Sequence, residues 1–536
     1  MPFDLPPPVP PMQAEVAPLR QRDMRARRAG RIIAYDIGPY RIEIAGNSYL
    51  QRERVLSIIA QASTPSQAIR LLTALYTADG HPLVNLDYAA DGNTILVQVN
   101  EGYLAAIEAP PRLLPFFDRL VGERDIERSD LEPARLLAQI KAGRAGYDVN
   151  AAYRVDPNDP TRYTLVLDGA RKLDYQPLTW TTTFGNPGNR FLGRYFGFTN
   201  LKGRLPNGDT VALGYGAAFT GLGNPRNGTD YDNYSVAYTT VNRFGLYGLS
   251  ATYTEYGIKD RFDDRLFVGE RERARIVDVG ASGNQFIYAD RSTRLILEEQ
   301  LQYVKSDLEF TDGDGLVTNG RLPLNGLSLQ DEEYGAARVG LTASHTRYVF
   351  GREINISGGG GYKHGFGDID NVIASDRSAD FARYDGKFTV RYHLPSEWVL
   401  SLHGKGQLSG GDTLPQQQQW VLGGSDNLSA YLPGVLVGDS GAYGRVQLQT
   451  PRWFLFSRPL RLAAFVEAGS ARYENSVQPD VSASDYGLKL EASPLPHLEV
   501  SAYVANGLSS SNLDVYDDDF KRRNEADFFF TVKTEF

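Results

Sequence analysis

Between Trp420 and Gly441 the chain reads Trp420-Val421-Leu422-Gly423-Gly424-Ser425-Asp426-Asn427-Leu428-Ser429-Ala430-Tyr431, then Gly434, then Gly438-Asp439-Ser440-Gly441. Downstream lies Phe465-Val466-Glu467-Ala468-Gly469, an alternating run with one carboxylate. In an extended strand Phe465, Glu467 and Gly469 share a face. A carboxylate on a confined face requires a cation, hydrogen-bond donors or water. The chemistry on offer is therefore the ionic holding of a glycine-hinged loop against a strand. Alternation places Arg445 and Arg461 on the face of Glu467. Arg461 lies about 20 Å away along the same strand, whereas Arg445 belongs to the preceding strand. Arg445 is thus the expected partner, within about 4 Å of Glu467. Leu428 to Tyr431 is expected to fold inward, held by Tyr431 and by backbone hydrogen bonds.

Bond-breaking chemistry is not in view. The histidines His81, His345, His364, His393, His403 and His497 are scattered without ligand spacing, and neither a nucleophile elbow nor a phosphate loop occurs. Asp312-Gly313-Asp314-Gly315 lacks the rest of an EF-hand loop and reads as a turn in a long outer loop. No catalytic residue, cofactor or metal is expected.

These residues sit in a chain whose last two thirds alternate apolar with small or polar residues in short runs. In one such run Val211, Leu213, Tyr215, Ala217 and Phe219 oppose Thr210, Ala212, Gly214, Gly216 and Ala218. Phe244 to Tyr256 and Leu460 to Gly469 repeat the pattern, and Phe528, Phe530, Val532, Thr534 and Phe536 end the chain on an aromatic residue. One face suits lipid and the other a wet lumen, so the expected fold is a transmembrane β-barrel. Abundant glycine, tyrosine and phenylalanine (54, 31 and 25 of 536 residues), with no cysteine, fit an outer-membrane protein. A net charge of −9 argues against a nucleic-acid partner. Runs near 174–183, 193–199, 209–219, 230–240, 244–256, 275–288, 291–304, 332–344, 348–363, 381–394, 397–409, 440–449, 460–469, 483–492, 497–505 and 526–535 give about 16 antiparallel strands. With the amino terminus in the periplasm, 410–439 is the sixth outer loop.

Ahead of the barrel, residues 1–12 are proline-rich, and 13–29 form a basic stretch that reads either as a solvated tail or as a helix plugging the pore. No secretory signal shows in Met1 to Pro11, so the chain reads as a mature form. Two copies of one small α/β pattern follow. The first has a strand at Tyr40 to Ile44, helices at 55–60 and 66–78, and strands at 84–89 and 94–100. The second has a strand at Leu104, helices near 112–121 and 129–142, and strands at 147–155 and 163–167. The expected divisions are 1–37 for tail and linker, 38–102 and 103–172 for the modules, and 173–536 for the barrel.

The modules, with Glu101-Gly102 at a strand end and Ile44-Ala45-Gly46-Asn47 opening the first, resemble POTRA domains, which bind extended polypeptide by strand addition. The loop and strand motifs resemble those of the two-partner secretion transporters, the hemolysin and filamentous hemagglutinin exporters. Their sixth loop carries Gly-Gly, Val-Arg-Gly-Tyr and Gly-Asp-x-Gly, and their thirteenth strand carries Phe-x-Asp-x-Gly. Gly423, Gly424, Tyr431, Gly438, Asp439, Phe465 and Gly469 match. Leu428, Ser429 and Ala430 depart from Val-Arg-Gly, and Glu467 replaces the aspartate that the loop arginine normally pairs. The resemblance implies an outer-membrane translocator without enzymatic activity, with periplasmic modules that capture an unfolded exoprotein. It also implies membrane lipid as surroundings and the barrel-assembly machinery as a partner that reads Phe536; a monomer is expected. An assembly factor for outer-membrane protein or lipid, and a passive porin, are the alternatives.

Overall fold

The computed structural model describes residues 31–189, 192–222, 228–259, 267–290, 292–317, 320–372, 376–455, 458–477, 479–513 and 520–536. The stretch 13–29, read as tail or plug, lies outside them.

The first module is a four-stranded sheet in the order β1 (Ile33–Ile37), β2 (Tyr40–Ala45), β4 (Thr94–Glu101), β3 (Val84–Asp91), with β2 and β4 parallel. It is covered by α1 (Arg52–Ile59) and α2 (Pro65–Ala78). Pro65 opens α2, Thr64 caps it by accepting from Gln67 N, and Ala68, Ile69, Leu72 and Tyr76 form its buried stripe. Glu101 earns its strand-end position by accepting from Ser48 N (2.7 Å) and Tyr49 N (2.9 Å), while the Tyr76 hydroxyl donates to Asn47. The sheet starts earlier than expected: Ile33–Ile37, assigned above to a linker, pairs with β2 across a two-residue Gly38-Pro39 turn in which Gly38 takes φ +58°.

The second module pairs β5 (Tyr103–Glu108) parallel to β7 (Asp159–Arg171), and β6 (Tyr147–Asp156) antiparallel to β7. Its long helix α3 (Arg128–Arg144) opens with a capping box between Glu127 and Asp130. The helix expected near 112–121 is instead two short 3₁₀ turns, Leu114–Phe116 and Asp118–Leu120. Pro110, Pro111 and Pro115 deny this stretch the amide donors that a regular helix needs.

Among the described residues the closed sheet holds sixteen long antiparallel strands, with Gly320–Pro323 and Trp453–Leu455 as short returns beside them. The first strand (Leu178–Gly185) pairs with the sixteenth (Phe528–Glu535) and closes the wall. Leu213, Leu249, Leu301, Val339, Val466, Leu488 and Val504 are exposed on the outer face, as alternation requires of a lipid-facing belt. Tyr215, Tyr234 and Tyr253 are directly opposed across three adjacent strands of that face. No described helix is long and apolar enough to cross a membrane; the strands do the crossing.

The sixth and seventh strands, Phe267–Ala289 and Thr293–Val317, run well beyond their sequence-read ends. Asp312 to Gly315 therefore lies in a strand and not in the expected turn. Asp312, Asp314 and Gly315 pair with Arg271, Val268 and Phe267, and a bulge with Gly313 at φ +111° absorbs the irregular register.

Helix α3 docks on the periplasmic turns. Lys141 Nζ lies 2.7 Å from Asp209 Oδ1, and Arg144 Nη1 lies 3.2 Å from Thr239 Oγ1. Val241 and Leu246 of the barrel join the second module's hydrophobic core.

Candidate functional site

The sixth loop folds into the barrel. Trp420–Leu422 and Leu436–Gly438 pair as a small two-stranded hairpin. At its base Gly423 and Gly424 take φ +114° and +98°, a conformation that side chains with a Cβ resist. Leu428 itself lies at φ +63° and turns the chain so that Ser429 and Ala430 aim their amides at the wall.

The wall answers with a row of charge. Arg445 on the twelfth strand (Ser440–Gln449), Glu467 on the thirteenth (Arg458–Arg472) and Asp485 on the fourteenth (Val481–Leu495) are directly opposed in register. All three are buried, at 7%, 1% and 0% exposure. Arg445 Nη1 lies 2.8 Å from Glu467 Oε1, and its guanidinium stacks 4.1 Å over the Phe465 ring. Ser429 N donates to Glu467 Oε2 at 2.9 Å, and Ala430 N donates to Asp485 Oδ2 at 2.9 Å. The Ser429 hydroxyl lies 3.0 Å from the Ser425 carbonyl and 3.3 Å from Glu467 Oε1. The carboxylate of Glu467 is thus met by a cation from the wall and by an amide and a hydroxyl from the loop, which offsets its desolvation. Arg461 sits opposite Glu491 in register, away from Glu467.

Gly469 leaves the room that the hairpin fills, since a Cβ there would meet Leu422 Cδ1 at 2.5 Å and Leu428 Cδ1 at 3.4 Å. Tyr431 is fully buried, but among the described residues its hydroxyl has no hydrogen-bond partner, so it holds the loop by packing. Asp439 Oδ1 accepts from Leu414 N and its Oδ2 from Glu474 N, both at 2.9 Å, which ties the start of the loop to the next outer loop. Phe536, far from this site, exchanges main-chain hydrogen bonds with Trp180 (2.8 and 2.9 Å) at the closure of the barrel.

Two anchors escaped sequence reasoning. Asp485 falls opposite Glu467 once the strands are paired, a relation that only register reveals. Gln418 belongs to the run Gln416 to Gln419, whose side chains carry no signal by themselves. Its side chain accepts from Lys363 Nζ and Arg383 Nη1 (both 3.0 Å) and donates to Tyr334 OH (3.0 Å), while its carbonyl accepts from Gln407 Nε2 (2.9 Å). Those partners lie on the eighth to eleventh strands (Ser328–Val349, Arg352–Asn371, Ala382–His393 and Val399–Ser409). The loop is therefore tied to a continuous arc of wall from the eighth strand to the fourteenth. A cavity of about 520 Å³ remains between it and Tyr231, Thr252, Thr254, Ile276 and Asp278. Among the described residues no cluster could hold a metal ion.

Residues 317–490, which contain the loop and the Glu467 strand, match the family model described as haemolysin secretion/activation protein ShlB/FhaC/HecB. The fold is similar to that of CdiB from Escherichia coli, at 16% identity over 96% of this chain and 95% of that one, with a TM-score of 0.70. It is also similar to CdiB from Acinetobacter baumannii, at 13% identity over 95% and 91%, with a TM-score of 0.63. No curated protein matches at a significant level.

Proposed function

We propose that the chain is a two-partner secretion outer-membrane transporter that exports one unfolded exoprotein past a latched sixth loop; the match of residues 317–490 to that family model and the fold shared with the two CdiB proteins support this reading. The periplasmic modules capture the exoprotein through an open sheet edge, where backbone hydrogen bonds tolerate many sequences. The barrel conducts the chain outward, and folding of the cargo outside supplies the drive. The observation that carries this reading is the loop itself, held in the lumen by Glu467, Asp485 and Arg445. A lumen filled in this way suits a gated path better than an open porin. The proposed divisions are a tail before Ile33, two modules up to about Lys172, and the barrel beyond. The loop motif and Arg445 form the gate, and Phe536 is the assembly signal.

Co-expression with the exoprotein in a Gram-negative host that lacks its own such transporter tests the reading. Exoprotein should reach the medium only when this chain is present. Accumulation in the periplasm at equal levels with and without the chain would overturn it.

A further inference from the structure

Arg347, Arg352 and Arg458 stand at the periplasmic rim of the barrel and face outward. On the eighth strand Val339 and Leu341 belong to the lipid-facing belt, and unbroken pairing with the ninth strand carries that face down to Arg347. Arg352, opposite Val349, lies on the same face just past the Phe350-Gly351 turn. Alternation from the exposed Val466 likewise leads to Arg458, the first residue of the thirteenth strand. Phe350 (95% exposed) occupies the turn between the first two arginines, and Trp453 and Phe454 (70% exposed) lie on the short return paired with 458–460. Exposed aromatic rings below a belt of leucine and valine mark the level at which a bilayer passes into water.

Elsewhere in the wall arginine is matched with carboxylate: Arg273 with Asp230 and Glu255, Arg338 with Glu298 and Asp385, Arg445 with Glu467. Among the described residues Arg347, Arg352 and Arg458 have no ion pair, hydrogen bond or ring partner. The neighbouring Glu353 is on the opposite face, where it is paired with Tyr348 in register and accepts from Asn355 Nδ2 at 2.7 Å. Nor does the second module cover this arc, since α3 docks beneath the second to sixth strands, at Asp209, Thr239 and the sixth strand. The anion that these guanidinium groups meet therefore comes from outside the chain, at the depth of the headgroups.

We propose that the periplasmic rim from the eighth to the thirteenth strand binds anionic phospholipid of the inner leaflet, with Arg347, Arg352 and Arg458 on headgroup phosphates and the aromatic rings seated in the headgroup layer. The guanidinium fork matches phosphate oxygens in pairs, while its aliphatic stem lies along the apolar wall. The barrel is thus held by the docked module on one arc and by lipid charge on the arc that carries the loop anchors. The inference rests on the barrel's place in the membrane and is independent of what the barrel exports.

The test releases the full chain from micelles that contain equal amounts of phosphatidylglycerol and phosphatidylcholine and counts the retained lipids by native mass spectrometry. Phosphatidylglycerol should be held about fivefold or more tightly, the contribution of one arginine near an anionic surface. R347Q/R352Q/R458Q should lose that preference. R70Q/R119Q/R162Q, the same charge change at exposed arginines of the modules, should keep it. If the rim triple variant does not fold, as judged by heat-shifted mobility, R352Q and R458Q are scored singly and each should lose part of the preference. Inorganic phosphate at constant ionic strength should not displace the lipid. No preference in the parent, an equal preference in the rim variants, or an equal loss in the module variant would overturn the proposal, and displacement by phosphate would replace it with a free-anion site.

Discussion

Glu467 is where the chain departs from the strand motif it resembles and where the structure shows how the departure is absorbed. The loop motif it resembles has an arginine where this chain has Ser429; here the cation stands on the wall as Arg445, directly opposite Glu467. Strand alternation and the rise per residue suffice to pick Arg445 over Arg461 before any coordinates. Register alone reveals Asp485. Removing Arg445 leaves a buried carboxylate without its cation, a loss of about 3–5 kcal/mol. Arg445→Ser should therefore free the loop, seen as a higher mean conductance and as new protease cleavage within 423–438. Adding Ser429→Arg in that background should reverse both effects; no reversal would mean that Arg445 acts through packing on Phe465 and not through its charge. Gly423→Ala tests the hinge. Its φ of +114° and the Leu432 carbonyl oxygen 2.1 Å from the position of an added Cβ forbid the side chain where it stands. The hairpin should loosen at a cost of about 1–3 kcal/mol, read as faster proteolysis of the loop with the barrel's heat-shifted mobility intact.

At the scale of elements, the sixteen strands were legible because each long run alternates, and period two is imposed by lipid on one side and lumen on the other. Their ends were less so. The sixth and seventh strands continue past the membrane as a ribbon, where no lipid enforces alternation and Asp312 to Gly315 looks like a turn. Ile33–Ile37 was missed as a five-residue edge strand, although Gly38-Pro39 between two alternating runs was its signal. In the docking of α3, burial raises the carboxyl pKa of Asp209, but hydrogen bonds from Lys141, Thr240 and Tyr238 and the charge of Lys141 outweigh it and bring it to about 2. A depressed carboxylate pKa stabilises above its unfolded value of 3.8 and loses that contribution as pH falls towards 2. The protection of amides 128–144, taken as their exchange rate relative to the intrinsic rate at each pH, should be constant from pH 7 to about 4 and fall below it. Asp209→Asn should show weaker protection at pH 7 and lose that acid-dependent fall; a variant indistinguishable from the parent would show that the apolar contacts of Val241 and Leu246 carry the docking alone.

At the scale of the whole molecule, a periplasmic arm, a barrel and an inward loop lie in series, with the arm docked on the turns beneath the barrel and the loop tied to the arc of wall from the eighth strand to the fourteenth. The loop bonds to lumen-facing side chains and so narrows the path. Deleting 423–438 should raise single-channel conductance several-fold, and unchanged conductance would mean that the path runs elsewhere. Whether an unfolded polypeptide crosses this barrel is read out by transport into proteoliposomes. Denatured exoprotein is added on the side that exposes the periplasmic modules, and the fraction protected from external protease is measured. Protection should appear with the reconstituted chain and fall when the exoprotein is folded beforehand. Vesicles that conduct ions through the barrel yet protect no exoprotein would mean that the barrel is a channel and not a polypeptide translocator.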